Sequence, residues 1–130
     1  MAEALLAMLV QETYPEVSVR SAGVGAMVGH TAASHSRKLM QTRGIDISAH
    51  RARQVSPSII FSSDLILTMD TKQQQQLEQQ YTGVRGRVHR IGKWGNYDIP
   101  DPVNRPKAAF EEALVLIEQG IDEWHRKLWT

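Results

Sequence analysis

The sequence feature that most restricts the fold is an unbroken apolar run, Leu65-Ile66-Leu67, which continues through Thr68 to Met69. A short apolar run without polar alternation is typical of a strand that is covered on both faces. Strands of this kind occur in parallel sheets, whose neighbouring strands are joined by helices. The run therefore predicts an α/β domain with helices on both sides of a parallel sheet.

Helical periodicity is strongest at the two ends of the chain. Near the start, a helix that stops before Pro15 is predicted by apolar residues spaced by threes and fours, namely Ala2, Leu5, Leu6 and Leu9. A longer stripe of the same kind contains Phe110, Ala113, Leu114, Ile117, Ile121, Trp124 and Leu128. Pro106 suits the first position of this last helix. Gly120 within it costs about 1 kcal/mol relative to Ala, which the long apolar stripe can offset.

Between these helices the pattern predicts two further strands and two further helices. A half-buried strand over Val17–Ala22 leads into a glycine-rich turn, and Val88–Ile91 forms another strand. Thr31 can cap a helix that Gly44 ends, and Asp70 or Thr71 can cap a polar helix that runs to about Tyr81. A short helical turn follows Pro57. The alternation predicts a three-layer α/β/α fold with a short parallel sheet, and we expect residues 1–130 to form one domain.

Composition excludes several classes of function. The 130 residues are 42% hydrophobic and 22% charged, which suits one globular domain. The net charge of +1 gives no broad electrostatic footprint for nucleic acid or an anionic membrane. The chain contains no cysteine, which excludes a disulfide framework, a thiolate zinc site and a thiol nucleophile within it.

The first ten residues are apolar but too few to span a bilayer, and they carry Glu3 where a signal peptide needs positive charge. We therefore expect a cytoplasmic protein without membrane insertion. The histidines show no paired ligand spacing, so we expect no metal and no other cofactor. Arg51 and Arg53 fit either phosphate capture or a solvated, ion-paired role.

Five short motifs occur in an order and at a spacing that can be compared with a known family. They are Met1-Ala2-Glu3-Ala4-Leu5-Leu6, Ser21-Ala22-Gly23-Val24, His50-Arg51-Ala52-Arg53-Gln54-Val55, Leu65-Ile66-Leu67-Thr68-Met69-Asp70 and Ile99-Pro100-Asp101-Pro102. Together they resemble the low-molecular-weight protein tyrosine phosphatases, most closely the bacterial type associated with exopolysaccharide tyrosine kinases. The resemblance covers the whole chain. It implies hydrolysis of phosphotyrosine through a cysteinyl-phosphate, with a phosphotyrosine protein such as a bacterial tyrosine kinase as partner.

The same resemblance implies a Cys-x-x-x-x-x-Arg-Ser-Pro loop between a first strand and a first helix, where backbone N–H groups hold phosphate. The sequence starts where that loop should end, so we expect an N-terminally truncated domain without the first strand. The family nucleophile and the loop Arg are then absent. We therefore expect these residues alone to be inactive in hydrolysis.

The resemblance assigns the catalytic acid to Asp101. That residue would protonate the tyrosyl oxygen as it leaves and then activate water, with Pro100 and Pro102 stiffening its loop. From local sequence alone, an Asp between two prolines is more simply a turn residue. Asp98 is the nearby alternative, but it lacks the Asp-Pro pairing.

Three residues match family positions that support the phosphate loop. Asp70 matches one at the end of a strand, and it can act as a helix cap at the same time. Ser21 and His50 match positions that fix the shape of the loop by hydrogen bonding. In a chain without the loop, we expect these two side chains to lack the loop groups that they would hydrogen-bond.

The substrate-binding wall differs from the family pattern. Most relatives carry an aromatic residue just beyond the acid, where this chain has Val103 and Asn104. Trp94 and Tyr97 could stack on a phenol ring instead, and ordinary loop packing explains them equally well.

Three hypotheses about function follow. The first is an incomplete tyrosine phosphatase, in which an internal Met has been taken as the start. The second is a pseudophosphatase that binds a tyrosine kinase or its phosphotyrosine without hydrolysis. The third is an interaction subunit that borrows the missing strand from a partner or forms a strand-swapped homo-oligomer.

Overall fold

The computed structural model describes residues 1–11, 14–23 and 27–129. Val24 and Gly25 of the predicted glycine turn lie outside the described residues. The described elements are α1 (Ala2–Gln11), α2 (Ser34–Thr42), α3 (Pro57–Ser62), β1 (Ile66–Thr68), α4 (Thr71–Gln80), β2 (Val88–Arg90) and α5 (Lys107–Trp129). The order of helices and strands agrees with the predicted alternation, except at residues 17–22.

The described sheet has two parallel strands, β1 and β2, joined through α4. Ile66 lies opposite Val88 and Thr68 lies opposite Arg90. Parallel strands need a crossover connection, which α4 supplies here. The predicted strand that begins at Val88 is therefore confirmed to within one residue.

Side chains that alternate along β1 face two different apolar clusters. Ile66 packs against the cluster of Ile60, Leu77, Tyr81, Val84 and Val88. Leu67 and Met69 pack against the larger cluster of α1, α2 and α5. Because successive strand residues point to opposite faces, helices cover both sides of the sheet. The predicted three-layer arrangement is confirmed.

The prediction of a ladder-forming strand at residues 17–22 was wrong. This segment has no ladder, and the pairing next to it is a single bridge between Gly23 and Gln54. Gly23 N–H donates to the Arg53 carbonyl at 2.8 Å, and Val55 N–H donates to the Gly23 carbonyl at 2.9 Å. A strand needs a neighbour along its length, and this segment meets one only at Gly23.

Helix ends follow local hydrogen-bonding rules in most places. Asp70 caps α4 by accepting from the Gln73 N–H at 2.8 Å, as predicted. Gly44 ends α2 with a φ of 73°, in the left-handed region that glycine tolerates. The cap predicted at Thr31 was wrong, because α2 begins at Ser34 and Thr31 instead forms a bridge with Arg51.

The long helix α5 forms the centre of the larger core. Its apolar stripe includes Leu114, Ile117 and Ile121, each about 2% exposed or less. Gly120 is also buried there, and a Cβ at this position would meet Ile91 Cγ2 and, at 2.7 Å, the Ile91 carbonyl oxygen. The glycine therefore permits α5 to approach the end of β2 closely.

Among the described helices, no stretch has the length and hydropathy needed to cross a lipid bilayer.

Candidate active site

A groove of about 570 Å³ opens between α1, the loops around residues 30–33 and 46–52, and the segment at residues 99–103. Met69, which directly follows β1, also lines it. Its floor is apolar and includes Phe110, Ala113 and Ile117 from α5. Sequence motifs that are far apart along the chain meet at this groove. It is therefore the first candidate for a functional site.

Asp101 lies on one wall of the groove. The Ile99 N–H donates to the Met69 carbonyl at 2.9 Å, which fixes the start of the loop to the end of β1. Asp101 is exposed, and its Oδ1 accepts from the Val103 N–H at 3.0 Å. This bond is the turn contact that an Asp before proline commonly makes. It leaves the second carboxylate oxygen, Oδ2, directed to no described protein partner.

Asp98 is held in a different way. Its Oδ1 accepts from Arg90 Nη1 at 2.9 Å and from the Thr71 N–H and hydroxyl at 3.2 and 3.0 Å. The hydrogen bond from Arg90 lowers the pKa of the Asp98 carboxyl, and those from Thr71 act in the same direction. Asp98 does not line the groove. An engaged, ionised carboxylate of this kind is a structural anchor and a poor proton donor.

Ser21 and His50 both line the groove, and Glu3 joins them. The Ser21 hydroxyl donates to Glu3 Oε2 at 2.5 Å, and His50 Nδ1 lies 3.3 Å from the same oxygen. The hydroxyl bonds to the carboxylate, with no described bond to the imidazole, so the arrangement differs from a serine-hydrolase triad. It links α1 to two loops.

Sequence reasoning missed the role of Glu3 in this cluster. In the sequence, Glu3 is recognisable only as an acidic residue in the first turn of a helix. A favourable interaction with the helix dipole is sufficient to explain an acidic residue there. The contact spans 18 positions to Ser21, and nothing in the local pattern encodes it.

Asp70 lies at the start of α4, where its carboxylate accepts from the Gln73 N–H. It is absent from the groove lining. The neighbouring Met69 does line the groove, so Asp70 adjoins it along the chain. Its helix-capping role is established by this contact, and its support of a phosphate loop stays a prediction.

Trp94 and Tyr97 occupy sites outside the groove lining. Trp94 packs edge-on against Trp124 with ring centroids 5.3 Å apart. The Tyr97 hydroxyl donates to the Leu116 carbonyl at 2.9 Å, and burial raises the pKa of its phenol. Both side chains contact α5, and their contact with a substrate stays a prediction.

Of the residues that the structure describes, those lining the groove supply three carboxylates, from Glu3, Asp46 and Asp101, and no Lys or Arg side chain. Arg51, which is close in sequence to this region, donates Nη1 to the carbonyls of Ser48 and His50 at 2.8 and 2.9 Å. Within the described ranges, no group of three or more His, Asp or Glu side chains is placed to hold a metal.

The family model for low molecular weight phosphotyrosine protein phosphatases matches residues 1–130. The chain belongs to this family. The predicted resemblance and the predicted fold class are thereby confirmed.

Curated relatives agree with this assignment. The chain is 43% identical to the probable low molecular weight protein-tyrosine-phosphatase EpsP of Ralstonia nicotianae, over 95% of this chain and 83% of the relative. It is 33% identical to the low molecular weight protein-tyrosine-phosphatase Wzb of Escherichia coli, over 92% of this chain and 82% of the relative.

Solved structures show the same phosphatase fold. Wzb of Vibrio vulnificus, solved in complex with benzylphosphonate, superposes with a TM-score of 0.88 at 30% identity, covering 98% of this chain and 88% of that one. The tyrosine phosphatase AmsI of Erwinia amylovora gives a TM-score of 0.91 at 30% identity, covering 99% and 83%.

Proposed function

We propose that these residues form the scaffold and the proton donor of a protein-tyrosine phosphatase, and that they do not hydrolyse phosphate esters by themselves. Asp101 is the proposed general acid, which protonates the leaving tyrosyl oxygen and then activates water. The observation that carries this proposal is a groove with Asp101 on its wall, in a family member whose residues 1–130 contain no cysteine.

The charges of the groove support the second half of the proposal. A phosphate monoester carries close to two negative charges at neutral pH. Among the described residues, the groove lining offers it three carboxylates, two imidazoles and no Lys or Arg side chain. Because like charges repel and no cysteine is available as nucleophile, both binding and bond cleavage require groups from outside these residues.

Pro100 and Pro102 support the assignment of the acid. Each restricts the backbone on one side of Asp101, and the Met69 contact fixes Ile99. A general acid must be held at a fixed distance from the oxygen that it protonates. As substrate we propose a cytoplasmic phosphotyrosine protein such as a bacterial tyrosine kinase, on the strength of the family resemblance.

Hydrolysis of p-nitrophenyl phosphate tests the proposal. The 130-residue protein should release no p-nitrophenol above the buffer rate. The same protein extended at its N-terminus by a strand and a Cys-x-x-x-x-x-Arg-Ser-Pro loop should turn over, and Asp101→Asn in the extended protein should lower kcat by roughly 10²- to 10⁴-fold.

Asp122→Asn is the matched control in the extended protein, since Asp122 is exposed and pairs only with Arg126 of the next helical turn among the ion pairs described. It should leave kcat unchanged. Turnover by the 130-residue protein that disappears on Asp101→Ala would overturn the proposal.

A second candidate function is an interaction subunit that accepts a strand from a partner. The Ile66 N–H donates to the Arg87 carbonyl, and the Thr68 carbonyl accepts from the Ile91 N–H, so both groups face β2. Because successive residues of a strand in a parallel ladder alternate between its two neighbours, the N–H and carbonyl of Leu67 point to the opposite edge of β1. No described strand pairs with that edge. Light scattering after gel filtration tests this candidate for the case in which the partner is a second copy: a strand-swapped form elutes as a dimer, and a strictly monomeric protein that unfolds cooperatively rules out strand exchange between copies.

A further inference from the structure

Two indole rings and two ammonium groups form a separate surface, here called the indole–lysine patch and made of Lys93, Trp94, Trp124 and Lys127. The ammonium groups of Lys93 and Lys127 lie 4.9 and 5.0 Å from the centroid of the Trp94 ring. Trp94 is 41% exposed. None of the four residues lines the groove that holds Asp101.

The patch is held in place by contacts beneath it. Trp124 is 3% exposed, and its Nε1 donates to the Arg90 carbonyl at 3.0 Å. The Trp94 ring packs edge-on against the Trp124 ring. The Lys93 ammonium also lies 5.7 Å from the Trp124 centroid and 3.4 Å from His89 Nδ1. These contacts restrict the rotamers of Lys93 and so reduce the entropy lost when it binds an anion.

The two ammonium groups have no carboxylate partner among the described ion pairs. On the same helix, Asp122 is engaged by Arg126 at 3.0 Å. Glu123, one turn before Lys127, lies close enough to Tyr97 to contribute to the raised pKa of that phenol. The patch is therefore locally cationic in a protein whose net charge is only +1.

We propose that the indole–lysine patch is a docking site for an acidic segment of a partner protein. Carboxylates complement the two ammonium groups, and the exposed part of the Trp94 ring supplies apolar contact area beside them. This role goes beyond the proposed role as scaffold and proton donor of a phosphatase, and it requires no phosphotyrosine.

The size and shape of the patch favour an acidic peptide over other anions. Binding to an anionic membrane typically uses clusters of about four to eight Lys or Arg, and the patch has two Lys. A sugar ring stacks on an open aromatic face, whereas Lys93 and Lys127 already lie over the Trp94 ring. A short acidic segment presents carboxylates, which form charge-assisted hydrogen bonds with ammonium groups.

Isothermal titration of the 130-residue protein with an oligoglutamate peptide of about ten residues tests the proposal. We expect binding that weakens as salt rises, because salt screens the attraction between exposed charges, with a Debye length of about 10 Å at 0.1 M. The double variant Lys93→Gln/Lys127→Gln should lose at least about tenfold in affinity. An oligoglutamine peptide of the same length should not bind.

Lys38→Gln/Lys72→Gln is the matched control, because both lysines are exposed and the change in net charge is the same. It should change affinity by less than about threefold, and so should Lys93→Arg/Lys127→Arg, which keeps both charges over the ring. Circular dichroism verifies that each variant is folded.

Three results would overturn the docking site: no binding by the unmodified protein, an equal loss in the control pair, or tighter patch-dependent binding to phosphatidylserine vesicles. The titration uses no phosphate ester, so its failure does not affect the proposed role of Asp101 as general acid, and failure of that role does not affect the docking site.

Discussion

The Nη1 of Arg90 lies 2.9 Å from Oδ1 of Asp98, and this ion pair ties the end of β2 to the segment that leads into Asp101. Arg90 Nη2 also donates to Asn96 Oδ1 at 3.0 Å. The Thr71 N–H and hydroxyl donate to the same Asp98 oxygen. One carboxylate therefore joins β2, the start of α4 and the loop before the proposed acid.

Replacing this carboxylate should destabilise the protein in a pH-dependent way. Asp98→Asn should lower the free energy of unfolding at neutral pH by about 1 kcal/mol, since the ion pair is partly exposed. The folded-state pKa of Asp98 lies below its usual value, so its contribution is present above about pH 4 and is lost as pH falls through the folded-state pKa. Urea unfolding at neutral and acidic pH measures this effect. A difference between the two proteins that is the same at both pH values would contradict it.

Gly120→Ala should destabilise the protein even though alanine is the better helix former. A Cβ would meet the backbone oxygen of Ile91 at 2.7 Å, so α5 or the end of β2 must shift. Overpacking of this kind costs about 1–3 kcal/mol, against a gain of about 1 kcal/mol in helix propensity. Thermal unfolding should show a lower Tm. Val115→Ala on the exposed face of the same helix should change little, and an unchanged or raised Tm for Gly120→Ala would refute the close approach.

Tyr97→Phe should remove the hydrogen bond to the Leu116 carbonyl at a cost of about 1 kcal/mol. Burial raises the folded-state pKa of this phenol above the usual value near 10. Its contribution is therefore complete below pH 10 and declines as pH rises through the folded-state pKa. Ultraviolet absorbance during an alkaline titration follows the phenolate, and the Phe variant identifies the component that belongs to Tyr97. Titration of that component at or below its usual range would count against its burial.

Asp70→Ala should lower stability by about 1 kcal/mol, because the first turn of α4 loses the acceptor for the Gln73 N–H. Asp70→Asn should recover most of that loss, since asparagine caps helices nearly as well. Chemical denaturation compares the two variants. Equal losses would mean that the negative charge of Asp70, rather than its capping bond, supports the fold.

Local patterns predicted most of the elements for a clear physical reason. In α5 and β1, the spacing of apolar residues within the segment itself indicates the type of element and which of its faces is buried. Asp70 was found because a helix cap needs only residues three positions apart. The segment at residues 17–22 was predicted incorrectly because a ladder depends on a neighbouring strand, which alternation within one segment cannot report.

The candidate site was likewise predicted only in part from the sequence. Motif order along the chain led to Asp101, Ser21 and His50, and the structure places all three on the lining of one groove. The preference for Asp101 over Asp98 as proton donor gained its physical reason only from tertiary contacts, since Arg90 and Thr71 engage Asp98. Trp94 and Tyr97 have the aromatic character of a substrate wall, but their partners on α5 decide where they lie.

The sequence by itself determined the family, the alternation of helices and strands, and the absence of a thiol, because these depend on residue identity and on spacing within a few turns. The tertiary structure alone decided which carboxylate is anchored and which faces the groove, that Glu3 holds Ser21 and His50, and that two lysines lie over one indole. Such contacts join residues that are distant along the chain, and only the packing of α1 and α5 with the sheet brings them within hydrogen-bonding and van der Waals range.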